Sequence, residues 1–306
     1  MQTKVEQKVK TFAVINPVAG QREGTTVEEI VEARVRESEG DCEIYLTHEG
    51  DDVREVVRQA VRRGARVVLA AGGDGTVSAA ASALIDKDAA LGIIPSGTWN
   101  SLARNLDIPL DIGQAVDLAL GEHGIRVIDM LEVNDSFFSL NVSVGLASIV
   151  LNNVDRDEIR RLGRFTYLYR GAMQLLGRPP FQLRVTTDGR AASVRANELV
   201  VANCGVMGIK NLRLDPDIHM DDGKFNVCRI RARTILDYLA LGFSMATGGQ
   251  KKDPRVHCWE AGREVRIESR ERLPVQGDGE VLGYLPVTVR LRPQALRVII
   301  PRKPPE

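Results

Sequence analysis

The segment Val67 to Ala71 is a short, wholly apolar run, and Gly72-Gly73-Asp74-Gly75-Thr76 follows it without a spacer. A small-residue stretch, Val77 to Ile85, comes next. Strand, glycine turn, helix is the order a parallel sheet demands, because parallel strands need a long crossover that a helix usually supplies. The same order recurs on both sides of this segment. Phe12 to Ile15 is an apolar run ending at Asn16-Pro17, and Ile30, Val31 and Val35 then fall at helical spacing. Ile44 to Leu46 reads as a strand ended by Thr47. Val53, Val56, Val57, Ala60 and Val61 follow i, i+3, i+4, i+7, i+8, an amphipathic helix that Asp51 or Asp52 can cap. Leu91 to Ile94 is the next strand, broken by Pro95-Ser96-Gly97-Thr98. The pattern predicts an α/β domain with a mostly parallel sheet. Its glycine turns should lie at the carboxyl edge, where open α/β sheets bind ligands.

Past about Val127 the texture changes. Phe137 to Val142, Phe181 to Thr187, Leu199 to Asn203, Phe225 to Ile230, Val265 to Ile267 and Val287 to Leu291 are strand-like, and helical spacing survives only near Leu162 to Leu176 and Ile235 to Met245. This predicts a β-rich second domain built as a sandwich. The expected division is 1–127 for the α/β domain and 128–292 for the sandwich. A last strand, Leu296 to Ile300, begins a tail of about 293–306 that packs back on the first domain. For the helix at Ile235 to Met245, core packing outweighs the sharper reading, a wall of a lipid pocket. Lys251-Lys252, Arg270 and Arg272 read as solvated surface, with contact to anionic head groups as the sharper alternative.

Composition removes several classes. Lys plus Arg equals Asp plus Glu, 41 against 41, so no global field draws the chain to nucleic acid. Cys42, Cys204, Cys228 and Cys258 form no C-x-x-C pair and no zinc spacing; they read as free, mostly buried thiols in a reducing compartment. The polar start MQTKVEQKVK lacks the apolar stretch of a signal peptide, and no apolar run nears a membrane span. A cytoplasmic protein is expected. If its substrate is a lipid, it must visit the membrane surface transiently. A homodimer is left open.

The turn at residues 72–76 suits phosphate. Glycines let an anion approach the main chain, and the following helix offers unpaired N–H groups and a positive dipole end. Thr76 adds a hydroxyl. Asp74 repels phosphate, which makes sense if it holds Mg²⁺ directly or through water. The bland alternative is a tight turn with a capping Asp. No G-x-x-x-x-G-K-[ST] occurs, so this is not a P-loop. Asn16-Pro17-Val18-Ala19-Gly20, Thr47 and Pro95-Ser96-Gly97-Thr98-Trp99-Asn100 end strands at the same predicted edge. Together they could surround a nucleotide. Later, Asp278 and Glu280 stand two apart across Gly279; in an extended segment both face one side. The bland alternative there is an exposed hairpin turn. Asp221-Asp222-Gly223 reads equally as a plain turn between strands.

These residues resemble the diacylglycerol kinase catalytic-domain family, which includes bacterial lipid kinases, sphingosine kinases and ceramide kinases. The resemblance rests on Asn16 to Gly20, Gly72 to Thr76 and Gly97-Thr98-Trp99-Asn100-Ser101-Leu102-Ala103-Arg104. It continues through Asn203 to Gly208, the run from Asp215 to Phe225, and Gln276-Gly277-Asp278-Gly279-Glu280. It implies a first domain like those of NAD kinase and phosphofructokinase, a sandwich second domain, and an active site in the cleft between them. It implies transfer of the γ-phosphate of ATP to a lipid hydroxyl. Asn16, Pro17, Val18, Ala19, Gly20, Thr47, Gly72, Gly73, Asp74, Gly75, Thr76, Val77, Gly97, Thr98 and Asn100 would bind the nucleotide. Asp74 would act through Mg²⁺, Glu280 as general base, and Asp278 in the metal and water network. A second cation would sit at the D-G turn, on the Asp222 carboxylate and the carbonyls of His219 and Lys224. Two departures stand out: Ala19 replaces a serine of the first turn, and Val77-Ser78-Ala79-Ala80-Ala81 lacks a polar Asn-Glu pair. Two other classes compete: a soluble-substrate kinase of the NAD-kinase type, which shares the GGDGT turn, and a non-catalytic nucleotide or lipid sensor.

Overall fold

The computed structural model describes residues 10–19, 26–38, 41–153, 179–205, 214–215, 217–232, 234–249 and 252–302. Gly20, Lys251, residues 206–208 and the helix expected at Leu162 to Leu176 lie outside them. The chain divides into two compact units, Met1–Ile128 with Gln294–Glu306, and Asp129–Pro293.

In the first unit, β1 (Thr11–Ile15), β2 (Cys42–Leu46), β3 (Val67–Gly72) and β4 (Ala90–Pro95) form a parallel sheet in the order β2-β1-β3-β4. β1 and β4 are buried throughout, as expected of strands covered on both faces. The helices are α1 (Val27–Glu37), α2 (Val53–Arg62), α3 (Asp74–Ala83), α4 (Ser101–Asn105) and α5 (Ile112–Leu120). Their starts follow from side-chain chemistry. Thr26 and Glu29 close a capping box on α1, Asp52 accepts the N–H groups of Arg54 and Glu55, and Asp111 accepts that of Gln114. α2 buries Val57 and Ala60, two of the five residues at the expected spacing.

β5 (Gly124–Val133) carries the chain from the first unit into the second, where it pairs with β6 (Ser136–Phe138). There, β7 (Asn141–Gly145) leads into α6 (Leu146–Asn153), followed by β8 (Phe181–Thr187), β9 (Arg190–Ala196), β10 (Glu198–Ala202) and β11 (Phe225–Ile230). Next come α7 (Ile235–Ala246), β12 (Val256–Ala261), β13 (Glu264–Ser269), β14 (Pro274–Gly277), β15 (Glu280–Tyr284) and β16 (Val287–Ile300). One antiparallel sheet runs β12-β11-β10-β7-β14-β15. The other runs from the start of β16 through β13 and β8 to β9, again antiparallel. Leu183, Val185, Val265 and Ile267 of the second sheet share a core with Val142, Val144, Leu199 and Phe225 of the first. This is the expected sandwich, with alternate residues of each strand turned inward.

Three expectations are corrected. The two strands expected at Val287 to Leu291 and Leu296 to Ile300 are one strand, β16, which absorbs a residue at positive φ, Gln294, at 49°. Its start pairs with β13, and its end runs parallel to β4 at Arg297 and Val298. The cysteines are not all thiols: Cys228 and Cys258 form a disulfide. β11 and β12 are antiparallel neighbours whose register sets these two residues directly opposite, with Cα atoms 4.1 Å apart. Strand register, not a spacing motif, brings them together. Cys42 stays outside the disulfide, and burial, followed by the charge of Asp41, pushes its thiol up to about 11. The helix α7 meets the expected core packing on one side only. Leu241 and Met245 pack with Val200, Ala202, Cys228 and Ile230, while Leu236, Leu239 and Phe243 are 75%, 64% and 72% exposed.

Candidate functional site

The carboxyl ends of β1, β3 and β4 bring the segments that begin at Asn16, Gly73 and Ser96 to one place. A cleft of about 1080 Å³ opens there, lined by Asn16, Val18, Ala19, Gly73, Asp74, Gly75, Thr76, Gly97, Thr98 and Asn100 of the expected set. Pro17, Thr47, Gly72 and Val77 are not part of its lining. Gly72 and Val77 are the last residue of β3 and a buried residue of α3. Thr47 spends its backbone N–H on the carbonyl of Ile15, extending the β1–β2 ladder.

The glycines have a second reason to be there. A Cβ on Gly97 would run into the Cα of Gly73. The second and third turns thus touch backbone to backbone, which only glycine permits. Asp74 and Asn100 lock this contact. The Asp74 carboxylate accepts the N–H groups of Asn100 (3.1 Å) and Ser101 (2.6 Å), capping α4 from a different element. Asn100, at φ 48°, accepts the N–H of Gly97 at 2.9 Å and donates its amide to the Gly97 carbonyl at 2.9 Å. Its side chain is therefore committed to the loop. Asn16 reaches Thr76 Oγ1 at 3.5 Å, the long limit of a hydrogen bond, and accepts the N–H of Val18 at 3.1 Å.

What remains open in the cleft is donor-rich. α3 begins with no side chain capping it, which leaves amides of its first turn without a side-chain partner where Gly73, Asp74, Gly75 and Thr76 line the cleft. Ser96 is 7% exposed, lines the cleft and has no hydrogen-bond partner for its Oγ among the described residues. Arg104, whose Nε donates to the Trp99 carbonyl at 2.8 Å, brings a cation to the same lining. In the sequence neither residue has a role of its own: Ser96 enters only as part of the strand-ending turn Pro95 to Asn100, and Arg104 only as the end of the third motif. Ser96 looked like a strand breaker, and Arg104 becomes visible only once α4 turns it back toward the cleft. Orphan hydroxyl, uncapped amides and guanidinium fit a polyphosphate. Each Asp74 oxygen accepts one N–H and keeps a second acceptor direction, so an oxygen-ligated divalent ion also fits.

In the second unit, the premise that Asp278 and Glu280 lie in one extended run does not hold. Gly277 pairs with Glu280, and Asp278-Gly279 forms the two-residue tip of the β14–β15 hairpin at φ 47° and 89°. Both signs match a type I′ turn. The Asp278 carboxylate folds back and accepts from Ser139 N (2.7 Å), Ser139 Oγ (3.0 Å), Leu140 N (3.0 Å) and Asn141 N (2.9 Å). Burial pushes this carboxyl up, while the N–H groups of Asn141, Ser139 and Leu140 pull against it. Gln276 braces the tip from the other side, accepting from Gly279 N at 2.8 Å and donating to Asn141 and Ser143. Glu280 is exposed at the start of β15, and among the described residues its carboxylate is in no hydrogen bond or ion pair. The turn thus binds one acid tightly and offers the other.

At the D-G turn, His219, Asp222 and Lys224 are exposed. Asp222 accepts the N–H of Lys224 at 3.0 Å, and the Lys224 ammonium pairs with Glu260 at 3.0 Å. The fully buried Asp129, absent from the candidates, accepts the N–H of Gly223 at 2.8 Å and donates its own N–H to the Met220 carbonyl. Asn203, also fully buried, donates to the carbonyls of Asp129 and Ser139. Among the described residues no three His, Cys, Asp or Glu side chains converge as a metal cluster.

Residues 10–133 match the model of the diacylglycerol kinase catalytic domain, and residues 140–300 match that of the YegS C-terminal NAD kinase beta sandwich-like domain. An uncharacterized protein of Synechocystis sp. is 26% identical, over 97% of this chain and 72% of that protein. A diacylglycerol kinase of Staphylococcus carnosus is 25% identical, over 94% of each chain. A crystal structure of a diacylglycerol kinase from Bacillus anthracis shares the fold, with a TM-score of 0.77 at 23% identity over 96% of this chain and 98% of that one. This kinship supports a kinase-type phosphotransferase. The chain belongs to the family that joins a diacylglycerol kinase catalytic domain to a YegS-type, NAD-kinase-like β-sandwich domain.

Proposed function

We propose that this protein transfers the γ-phosphate of ATP to the hydroxyl of a lipid of the diacylglycerol or sphingoid kind. The observation that carries this reading is the glycine-walled cleft with an uncapped helix N-terminus, an orphaned Ser96 hydroxyl and Arg104 on its lining. Backbone amides of α3 hold the phosphates, and Arg104 offsets their charge. Asp74 would hold Mg²⁺, which when bound neutralises charge on the transferring group. Glu280 takes the proton of the lipid hydroxyl as that oxygen bonds to the γ-phosphorus. The bond from this phosphorus to the β,γ-bridging oxygen breaks, and ADP leaves. The reaction requires the cradle and Glu280 to serve one pair of bound substrates. Asp278 is a positioning residue in this scheme, since its oxygens are occupied by the segment from Ser139 to Asn141.

A lipid acceptor calls for contact with a bilayer. Leu236, Leu239 and Phe243 fall at i, i+3 and i+7 on the exposed side of α7. Arg255 pairs with both nearby acids, Asp237 and Asp253, leaving exposed Arg231 and Lys252 to flank the helix. An apolar stripe between cations suits an anionic membrane surface. The deciding experiment incubates the protein with labelled ATP, Mg²⁺ and a lipid panel, and reads label in the organic phase. NAD stands as the soluble control. Label in NADP and none in any lipid would replace this reading with the soluble-substrate one.

A further inference from the structure

The sandwich of the second unit does not close at the end where β9 and β12 form its two sheet edges. A cavity of about 740 Å³ remains there. Its origin lies in strand alternation. The period that turns Phe181, Leu183 and Val185 inward on β8 also turns Arg190, Ala192 and Val194 inward on β9. On the facing sheet it turns Val227 and Arg229 inward on β11, opposite Trp259 and His257 on β12. Inward positions that should carry apolar bulk carry a methyl group at Ala192 and cationic or ring side chains at Arg190, Arg229 and His257.

The wall and the rim differ in chemistry. Val185 and Val194 are buried at the back, and Trp259 stands across the gap with its indole N–H on Thr187 Oγ1 at 3.1 Å. At the rim, the two acids are already engaged. The Asp188 carboxylate accepts the N–H groups of Gly262, Arg263 and Glu264, and Glu260 pairs with Lys224. Among the described residues neither Arg190 nor Arg229 is in an ion pair. An apolar wall beneath two guanidiniums matches a molecule of complementary build. Inward charge on edge strands also discourages edge pairing. That role alone does not call for a cavity with Ala192 and Trp259 inside it.

We propose that this mouth of the sandwich binds an anionic amphiphile, a molecule with one phosphate or carboxylate group and a short apolar body. It is separate from the hairpin that carries Glu280: β12 and β15 are opposite edges of the six-stranded sheet, roughly 24 Å apart at about 4.8 Å per strand spacing. The acid group lies between Arg190 and Arg229, and the apolar body lies on Val185, Val194 and Trp259.

The chain holds two tryptophans, so Trp99→Phe leaves Trp259 as the sole indole reporter. Octyl phosphate below its micellar concentration, added to the full chain without ATP, should change Trp259 emission saturably. Octanol and inorganic phosphate should each bind at least tenfold more weakly. Arg229→Gln should raise the octyl phosphate Kd at least tenfold, with circular dichroism unchanged. Arg190→Gln, on an exposed hairpin end, should do the same and serves if the first variant fails to fold. A parallel titration with phosphatidic acid vesicles separates sources. A response to both ligands supports a membrane-borne amphiphile, and a response to octyl phosphate alone supports a soluble one. No saturable change, equal binding of octanol, or indifference to both arginine substitutions would overturn the assignment. Because ATP is absent throughout, the result does not depend on the kinase reading.

Discussion

Two Asp-Gly turns, Asp74-Gly75 and Asp278-Gly279, look alike in the sequence and do different work in the structure. The Asp74 carboxylate takes two N–H groups from a neighbouring turn and still lines the cleft of the first unit. The Asp278 carboxylate takes donors from three consecutive residues and a hydroxyl, and it holds its own hairpin in place. The difference is in donor count. A carboxylate with spare acceptor capacity can serve a ligand, whereas one filled by backbone N–H groups serves the fold. Glu198 completes the series from the other end. It is buried, accepts from Ala147 at 2.9 Å, and has no hydrogen-bond partner for its Oε1 among the described residues; burial pushes its carboxyl up to about 7.

The largest test of this contrast is Glu280→Gln, which removes the proposed base and leaves the filled turn beneath it alone. Turnover on the lipid acceptor should fall on the order of 10³-fold, about 4 kcal/mol, with the melting temperature unchanged. Turnover above a tenth of the parent would remove Glu280 from the chemistry. Glu198 gives the next effect. Its folded pKa of about 7 lies above the ordinary 4.5, so the folded state keeps a proton the unfolded chain has already released. Stability should therefore fall as pH rises from 4.5 to 7, by on the order of 3 kcal/mol, and level off above. Urea unfolding at pH 5 and pH 8 reads that slope, and Glu198→Gln should flatten it.

One substitution made in both turns sharpens the comparison further. Asp278→Asn turns an amide toward N–H donors and should cost about 2–3 kcal/mol of stability, seen in the urea midpoint. Asp74→Asn should cost about 1 kcal/mol in the same measurement, because only two donors are affected. Its main effect should instead be a rise in the Mg²⁺ concentration needed for half-maximal turnover. Equal stability losses at the two sites would break the distinction between a filled and an available carboxylate.

Much of the first unit could be read in advance because its signals are local. The apolar run before Gly72 and the five-residue stripe from Val53 to Val61 each lie within one element, and the structure places strand and helix there. The roles of Ser96 and Arg104 in the cleft depend on neighbours distant in sequence. Ser96 matters because its Oγ has no hydrogen-bond partner among the described residues, and Arg104 matters because of where α4 starts, which Asp74 fixes from 27 residues away. In the second unit the informative facts are mostly matters of register. Cys228 meets Cys258, and Arg229 meets His257, only because β11 and β12 align as they do. The Asp278 side chain could not be placed without knowing that the segment from Ser139 to Asn141 passes beneath it. Alternation along a strand says which residues share a face, but not which strand supplies the opposite one.

The end of β16 lies parallel to β4 at Arg297 and Val298, although β1 to β4 are complete by Pro95. On the ribosome, therefore, four strands of the first sheet emerge while the strand that flanks β4 has yet to be translated. A nascent chain in that condition carries an uncovered backbone edge through the synthesis of the whole second unit. Completion of the first sheet is thereby made conditional on translation past residue 298, and a chain stopped before residue 297 would leave β4 without that neighbour.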